Sequence, residues 1–326
     1  MDPLAVGRMQ YFPDRAQAAP LPLARSVSPD LTRLTDSFAR IAASGRYSNF
    51  GPLQSEYAVA IAGSLDCSTP PLLFANATIA LTTVLRALRV SGEVVTTPFS
   101  FAASAHAIDW AGATPVFADI DAASLTLDPA RVAAAITPRT TAILAVHIYG
   151  HPCHHEALQD IAWRRGLPLV YDAAHAFATR VGDEPLHRWG DATVYSLHAS
   201  KLTHCGEGGV LVCADAGLRA ACASMQNFGI VDESVVALCG SNGKLSEASA
   251  ALGLAVLPGV ADEWARRHAL RRRYRQAFTS IAGVTVYELP ASVSQSEQYF
   301  VVRVRAEVRV VVLHGAGPKG FCSGGD

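Results

Sequence analysis

The chain has 326 residues, half of them hydrophobic and 17% charged, with a formal net charge of −1. That length accommodates one large α/β domain with a smaller one beside it. The charge balance lacks the basic excess of a nucleic-acid binder, and no apolar run is long enough to span a bilayer.

The opening Met-Asp-Pro-Leu-Ala-Val-Gly-Arg has no basic segment followed by an apolar core, so no secretory signal is visible. The seven cysteines are scattered without a paired framework, which predicts reduced, mostly core thiols in a cytoplasmic protein. Further along, short β-branched runs recur at 72–75, 93–96, 114–118, 142–147, 167–171, 192–196 and 209–213. Helical patterns lie between them. Residues 78–88 put Leu81, Val84, Leu85 and Leu88 on one face, and 155–165 do the same with Leu158, Ile161 and Ala162. This alternation predicts an α/β fold with a mostly parallel sheet flanked by helices. Residues 258–280 read as an arginine-rich amphipathic helix whose charges form a solvated face, and 284–305 as short strands and loops of a second, smaller lobe.

In such sheets ligands bind beyond the carboxyl ends of the strands. Polar and aromatic groups fall at those places. Asn76 follows Pro-Leu-Leu-Phe-Ala and opens a helix, and Phe101 lies just past Glu-Val-Val-Thr-Thr. Asp172 follows Leu-Pro-Leu-Val-Tyr, and Ser196 closes Ala-Thr-Val-Tyr-Ser. His151, Cys153, His154 and His155 cluster after another run, but their spacing supplies no second zinc-ligand pair, so they read as a polar loop and no metal is expected.

Only three of the 27 basic residues are lysines: Lys201, Lys244 and Lys319. Lys201 sits in Ser-Leu-His-Ala-Ser-Lys, just past a strand, where a primary amine can form a Schiff base and arginine cannot. Its neighbours supply what pyridoxal 5′-phosphate needs. Asp172 is a carboxylate for the ring nitrogen; alone it reads as a helix N-cap, and only Lys201 beside it reverses that reading. Ala77 and Thr78 offer the amides of a helix N-terminus to the phosphate, and Ser196 another hydroxyl. Phe101 could stack on the ring or be plain core, and His175 could meet the phenolic oxygen or be a structural histidine, its weight coming only from Asp172 three residues before it.

Taken together, several segments resemble the DegT/StrS family of nucleotide-sugar aminotransferases. They are Ser-Asn-Phe-Gly-Pro (48–52), Asn-Ala-Thr-Ile-Ala-Leu (76–81), Pro-Phe-Ser-Phe-Ala-Ala (98–103), Thr-Pro-Val-Phe-Ala-Asp-Ile-Asp (114–121), Val-His-Ile-Tyr-Gly-His-Pro (146–152) and Asp-Ala-Ala-His-Ala-Phe (172–177). Ser-Leu-His-Ala-Ser-Lys with Glu-Gly-Gly (196–201, 207–209) and Gln-Asn-Phe-Gly (226–229) complete the set. The resemblance implies a fold-type-I pyridoxal phosphate enzyme in which Lys201 holds the cofactor, Asp172 faces its ring nitrogen and His175 takes a place often held by glutamine. It also implies a homodimer with shared active sites, in which Asn227 reaches the neighbour's phosphate. The implied reaction moves an amino group from glutamate to a nucleotide-linked keto-sugar, leaning to a 4-keto-6-deoxy sugar. An aminotransferase acting on a non-sugar ketone, and a cofactor-binding remnant without turnover, remain as alternatives.

The resemblance implies three segments. Residues 1–240 hold the N-terminal stretch and the large cofactor domain, and 241–305 a partial, C-terminally truncated small domain. Residues 306–326, with Val-Leu-His-Gly-Ala-Gly-Pro-Lys-Gly-Phe-Cys-Ser-Gly-Gly, resemble a fragment of the crotonase superfamily instead.

Overall fold

The computed structural model describes residues 25–305; the crotonase-like segment 306–326 lies outside them. Helices α1 (Leu31–Ser44) and α2 (Pro52–Leu65) precede the sheet. Then come β1 (Leu72–Phe74), α3 (Ala77–Ala87), β2 (Gly92–Thr96), α4 (Ala102–Trp110), β3 (Ala113–Phe117), α5 (Pro129–Ala135) and β4 (Thr140–Val146). They are followed by α6 (His155–Arg165), β5 (Leu169–Asp172), β6 (Ala192–Ser196), β7 (Gly209–Cys213), α7 (Ala216–Gln226), α8 (Glu247–Val256) and α9 (Val260–Thr279). All seven runs expected as strands form one sheet, in the order β1-β7-β6-β5-β4-β2-β3. Strand β7 is antiparallel to both its neighbours. The remaining pairings are parallel.

The pleat explains why these strands are apolar on both sides. Val94, Leu144, Val170, Val194 and Leu211 point to one face, packing with Leu81, Val84 and Leu85 of α3 and Ile108 of α4. Their neighbours Val95, Ile143, Ala145, Leu169 and Tyr171 point to the other, against Val132 of α5 and Leu158 of α6. Towards the β1 edge that second face is covered by Tyr57 and Ile61 of α2 and Ala250 and Ala251 of α8. Helix α8 thus shares the core of the large unit although it lies beyond residue 240.

A buried carboxylate fixes this corner. Glu247, 1% exposed, opens α8 and accepts from the Leu53 and Gln54 N–H groups (2.9 and 2.8 Å), the unpaired donors at the start of α2. Gly51 lies so close that a Cβ there would meet the Glu247 carboxyl carbon at 2.4 Å.

Helix α9 differs in part from the expected solvated face. The Arg266 side chain is half exposed, but Arg267 and Arg271 are 11% and 13% exposed and ion-paired to Glu263 and Glu297. The segment after the helix folds back across it, bringing Glu297 to Arg271 and Gln298 to Arg267, which also pairs with Glu263 one turn earlier on the helix. Beyond α9, Val284–Val286 pairs with Val302–Val304 in a small antiparallel ribbon. Val293–Ser294 joins Arg180–Val181 and Glu184–Pro185 in a second small sheet.

Glu247→Ala would orphan two buried N–H donors and lower stability by about 2–4 kcal/mol. Urea unfolding of the variant beside the parent measures this directly.

Candidate active site

Seven of the eight residues singled out from the sequence line one cavity of about 670 Å³ at the carboxyl edge of the sheet: Ala77, Thr78, Phe101, Asp172, His175, Ser196 and Lys201. Each arrives on its own element. Asn76 caps α3, its side chain accepting from the Ile79 N–H (2.9 Å), so Ala77 and Thr78 are the first helical residues and have no intrahelical acceptors for their N–H groups. Strand β7 begins against this helix start: a Cβ on Gly209 would lie 2.7 Å from the Ala77 nitrogen. Only glycine permits that approach, which accounts for the last residue of Glu-Gly-Gly. Phe101 is the N-cap of α4, 61% exposed, with its ring in the cavity wall.

Asp172 ends β5 and is 6% exposed. Its oxygens accept from Ser104 Oγ (2.7 Å) and the Ala174 N–H (3.0 Å). Burial pushes its pKa above the ordinary carboxylate value, while these two hydrogen bonds and the charge of Lys201 pull the other way. Lys201 is equally buried, at 6%.

His175 is held as one tautomer. The Tyr149 N–H can only donate, and it points at Nδ1 (3.2 Å), so the neutral ring carries its proton on Nε2. That nitrogen faces the Tyr299 hydroxyl at 3.4 Å. Burial, and then the charge of Lys201, push the imidazole pKa down to about 3. Ser196 is 7% exposed and its Oγ accepts from the His198 N–H (3.3 Å).

Asn227 is elsewhere. It caps the end of α7, where its Oδ1 accepts from Lys244 Nζ (2.9 Å), and Lys244 also lies over the Phe228 ring (4.7 Å). It is outside the cavity wall of its own chain. The histidines of the 151–155 loop take separate partners: His154 turns to Ser124 Oγ (3.1 Å), and His155 packs at a tilt against the Trp189 ring. Among the described residues no group of three or more His, Cys, Asp or Glu side chains is placed to hold a metal.

The sequence reading missed Ser104 and Tyr149. Ser104 carried a usable signal: it lies one helical turn after Phe101, so both approach the same strand ends. Tyr149 carried none, because its left-handed backbone (φ 56°) follows from the turn it closes.

A buried amine and a buried carboxylate on one wall, beside a helix N-terminus at the edge of a mostly parallel sheet, are laid out as in the fold-type-I fold. Comparison with known proteins places it more narrowly. The chain belongs to the DegT/DnrJ/EryC1/StrS aminotransferase family, whose model matches residues 31–314. It is similar to the dTDP-4-amino-4,6-dideoxy-D-glucose transaminase of Shigella dysenteriae, 40% identical over 235 residues covering 72% of this chain and 64% of that protein. The Escherichia coli protein of the same name is 36% identical over 287 residues, 87% of this chain and 76% of its own length. The chain therefore spans slightly less than two thirds of the first relative. Among solved structures, DesI in the presence of its TDP-sugar product superposes with a TM-score of 0.84 at 37% identity, over 89% of this chain and 74% of DesI.

A histidine with a native pKa of about 3 against 6.5 unfolded binds its proton in the unfolded chain first, so its contribution to stability is complete above pH 6.5 and is lost as pH falls towards 3. Between pH 7 and 5 this costs about 2 kcal/mol. His175→Gln removes that share, so its urea-derived stability should fall by about 2 kcal/mol less than the parent's over the same interval. The raised pKa of Asp172 works in the opposite direction but is common to both proteins, so the difference isolates His175.

Proposed function

We propose that the protein is a pyridoxal 5′-phosphate-dependent aminotransferase that moves an amino group from glutamate to a nucleotide-linked keto-sugar, most specifically a 4-keto-6-deoxy sugar. The observation that carries this is the convergence of Lys201, Asp172 and the start of α3 on one cavity. The names of the Shigella and Escherichia relatives support the sugar, and the TDP-sugar product present with DesI supports the nucleotide.

The residues fit the cofactor. Gly209 lets β7 abut the start of α3, where a Cβ would clash with the Asn76 and Ala77 backbone, and so brings the strand end up to the helix N-terminus. Amides of Ala77 and Thr78, with the helix dipole behind them, suit a phosphate dianion, and the Ser196 hydroxyl stands on the same wall. Phe101 presents an exposed face for stacking. The cofactor, when bound, supplies a conjugated electron sink that lets a bond at the substrate α-carbon break.

The chain's own groups do the rest. Lys201 is the residue whose amine would hold the cofactor's aldehyde, and the same amine would serve as the base that moves the proton of the amino donor's α-carbon. Asp172, its two oxygens aimed by Ser104 and Ala174, would keep a proton on the ring nitrogen by a charge-assisted hydrogen bond. His175, neutral with its proton on Nε2 beside the Tyr299 hydroxyl, would offer a donor without adding charge.

Homodimerisation with shared sites belongs to the same proposal. Asn227 lies apart from its own cavity, next to the exposed apolar ribbon formed by Ile230–Asp232 and Val235–Val236. A second copy covering that ribbon would bring Asn227 to the neighbour's phosphate.

Pyridoxal phosphate added to the purified protein should give a visible absorption band that Lys201→Ala lacks. Glutamate should bleach the band, and a nucleotide-linked keto-sugar should restore it. Turnover in Lys201→Ala should drop by about 10²–10⁴. A band indifferent to glutamate would leave only a binding protein, and restoration by a free ketone but not by the nucleotide sugar would replace the acceptor.

A further inference from the structure

The segment Gln295–Tyr299, which follows α9, is tied at both ends. On the α9 side, Arg271 donates to Glu297 Oε2 (2.5 Å), Gln295 Oε1 (2.9 Å) and the Tyr299 carbonyl (2.6 Å). Trp264 Nε1 holds the Gln295 carbonyl (2.9 Å), and His268 Nδ1 lies 2.8 Å from Glu297 Oε1. On the other side the segment grips the cavity wall. Gln298 Nε2 donates to the carbonyl of Ser200, the residue before Lys201 (2.9 Å). Ser296 Oγ donates to the His175 carbonyl (2.6 Å), and its N–H to Thr179 Oγ1 (3.0 Å).

Two features separate this from an ordinary surface loop. The Glu297 side chain is only 3% exposed, so its charge relies on the Arg271 partner. Its backbone is also left-handed, with φ at 53°, a conformation a non-glycine residue holds only where its surroundings enforce it. The enforcement comes from α9, and the consequence falls on the backbone around Lys201 and His175.

We propose that Gln295–Tyr299 is a strap by which α9 sets the position of Lys201 and His175, with Glu297 as the positioning residue and Gln298 and Ser296 as the contacts that transmit it. The inference rests on the reading of Lys201 and His175 as cofactor-site residues. Neither Glu297 nor Arg271 lines the cavity, so they act through other residues.

Hydrogen exchange of the cofactor-free protein tests this, with Glu297→Gln and Gln298→Leu beside the parent. Exchange should rise at least about tenfold in 197–205 and 173–179 of Glu297→Gln, and in 197–205 of Gln298→Leu, while β4 keeps its parent protection. Titration with pyridoxal phosphate, followed by the visible band, should show the dissociation constant rising at least about tenfold in both variants. If α9 and 284–304 loosen while 197–205 and 173–179 exchange at the parent rate, the segment is structure of the second lobe only and the proposal is overturned. Should Glu297→Gln fail to fold, Gln298→Leu, which removes one transmitting contact, decides between the same two outcomes. A parent protein that shows no band would refute the cofactor reading alone, since the exchange result judges the strap independently.

Discussion

A carboxylate taken out of water at the tip of a central strand constrains the whole site. Asp172 is fixed by two parallel ladders, paired with Val146 on one side and Val194 on the other, so its Cα has little freedom. Burial favours its protonated form, and only the Ser104 hydroxyl, the Ala174 amide and the Lys201 charge oppose that. A cation set against it would complete the set and stabilise the ionised form. Every other group in the cavity has to be compatible with that demand. His175 is kept neutral, which avoids a competing positive charge, and the amides of α3 offer their partial charge to an anion some distance away.

The molecule divides its labour between two kinds of contact. The sheet is held by apolar side chains that alternate between its faces, and such packing is strong but tolerant of exchange among similar shapes. The junction between α9 and the cavity wall is polar and directional, built from Glu297, Arg271, Gln298 and Ser296. Directional contacts fix orientation, which apolar packing does less sharply. A site that has to present an amine and an imidazole at set angles gains from having its wall held this way.

The sheet was legible in the sequence because its strands are buried on both faces and read as continuous β-branched runs, as Val94-Val95 and Ile143-Leu144-Ala145 show. The cavity was legible where chemistry singles out a residue: one lysine after a strand, one aspartate after another, asparagine opening a helix. What stayed hidden depends on pairing across long separations. Nothing near Glu247 announces that it caps a helix almost two hundred residues earlier, and nothing near Arg271 announces Glu297. Helix α9 reads as amphipathic and solvated because local pattern counts charges, whereas exposure depends on where the following segment folds. Asn227 looks like a member of the site by motif, yet within one chain it turns to Lys244 and stands outside the cavity wall.

The scarcity of lysine has a consequence beyond the site. Of the two lysines in the described residues, Lys201 is buried and Lys244 is engaged with Asn227 and the Phe228 ring. The positive charge of this surface is therefore carried by guanidinium groups, which keep their protons through the whole alkaline range in which ammonium groups lose theirs. Among the described residues, bulky reagents that couple to amines therefore find few targets, and Lys201 can be reached only through the cavity it lines.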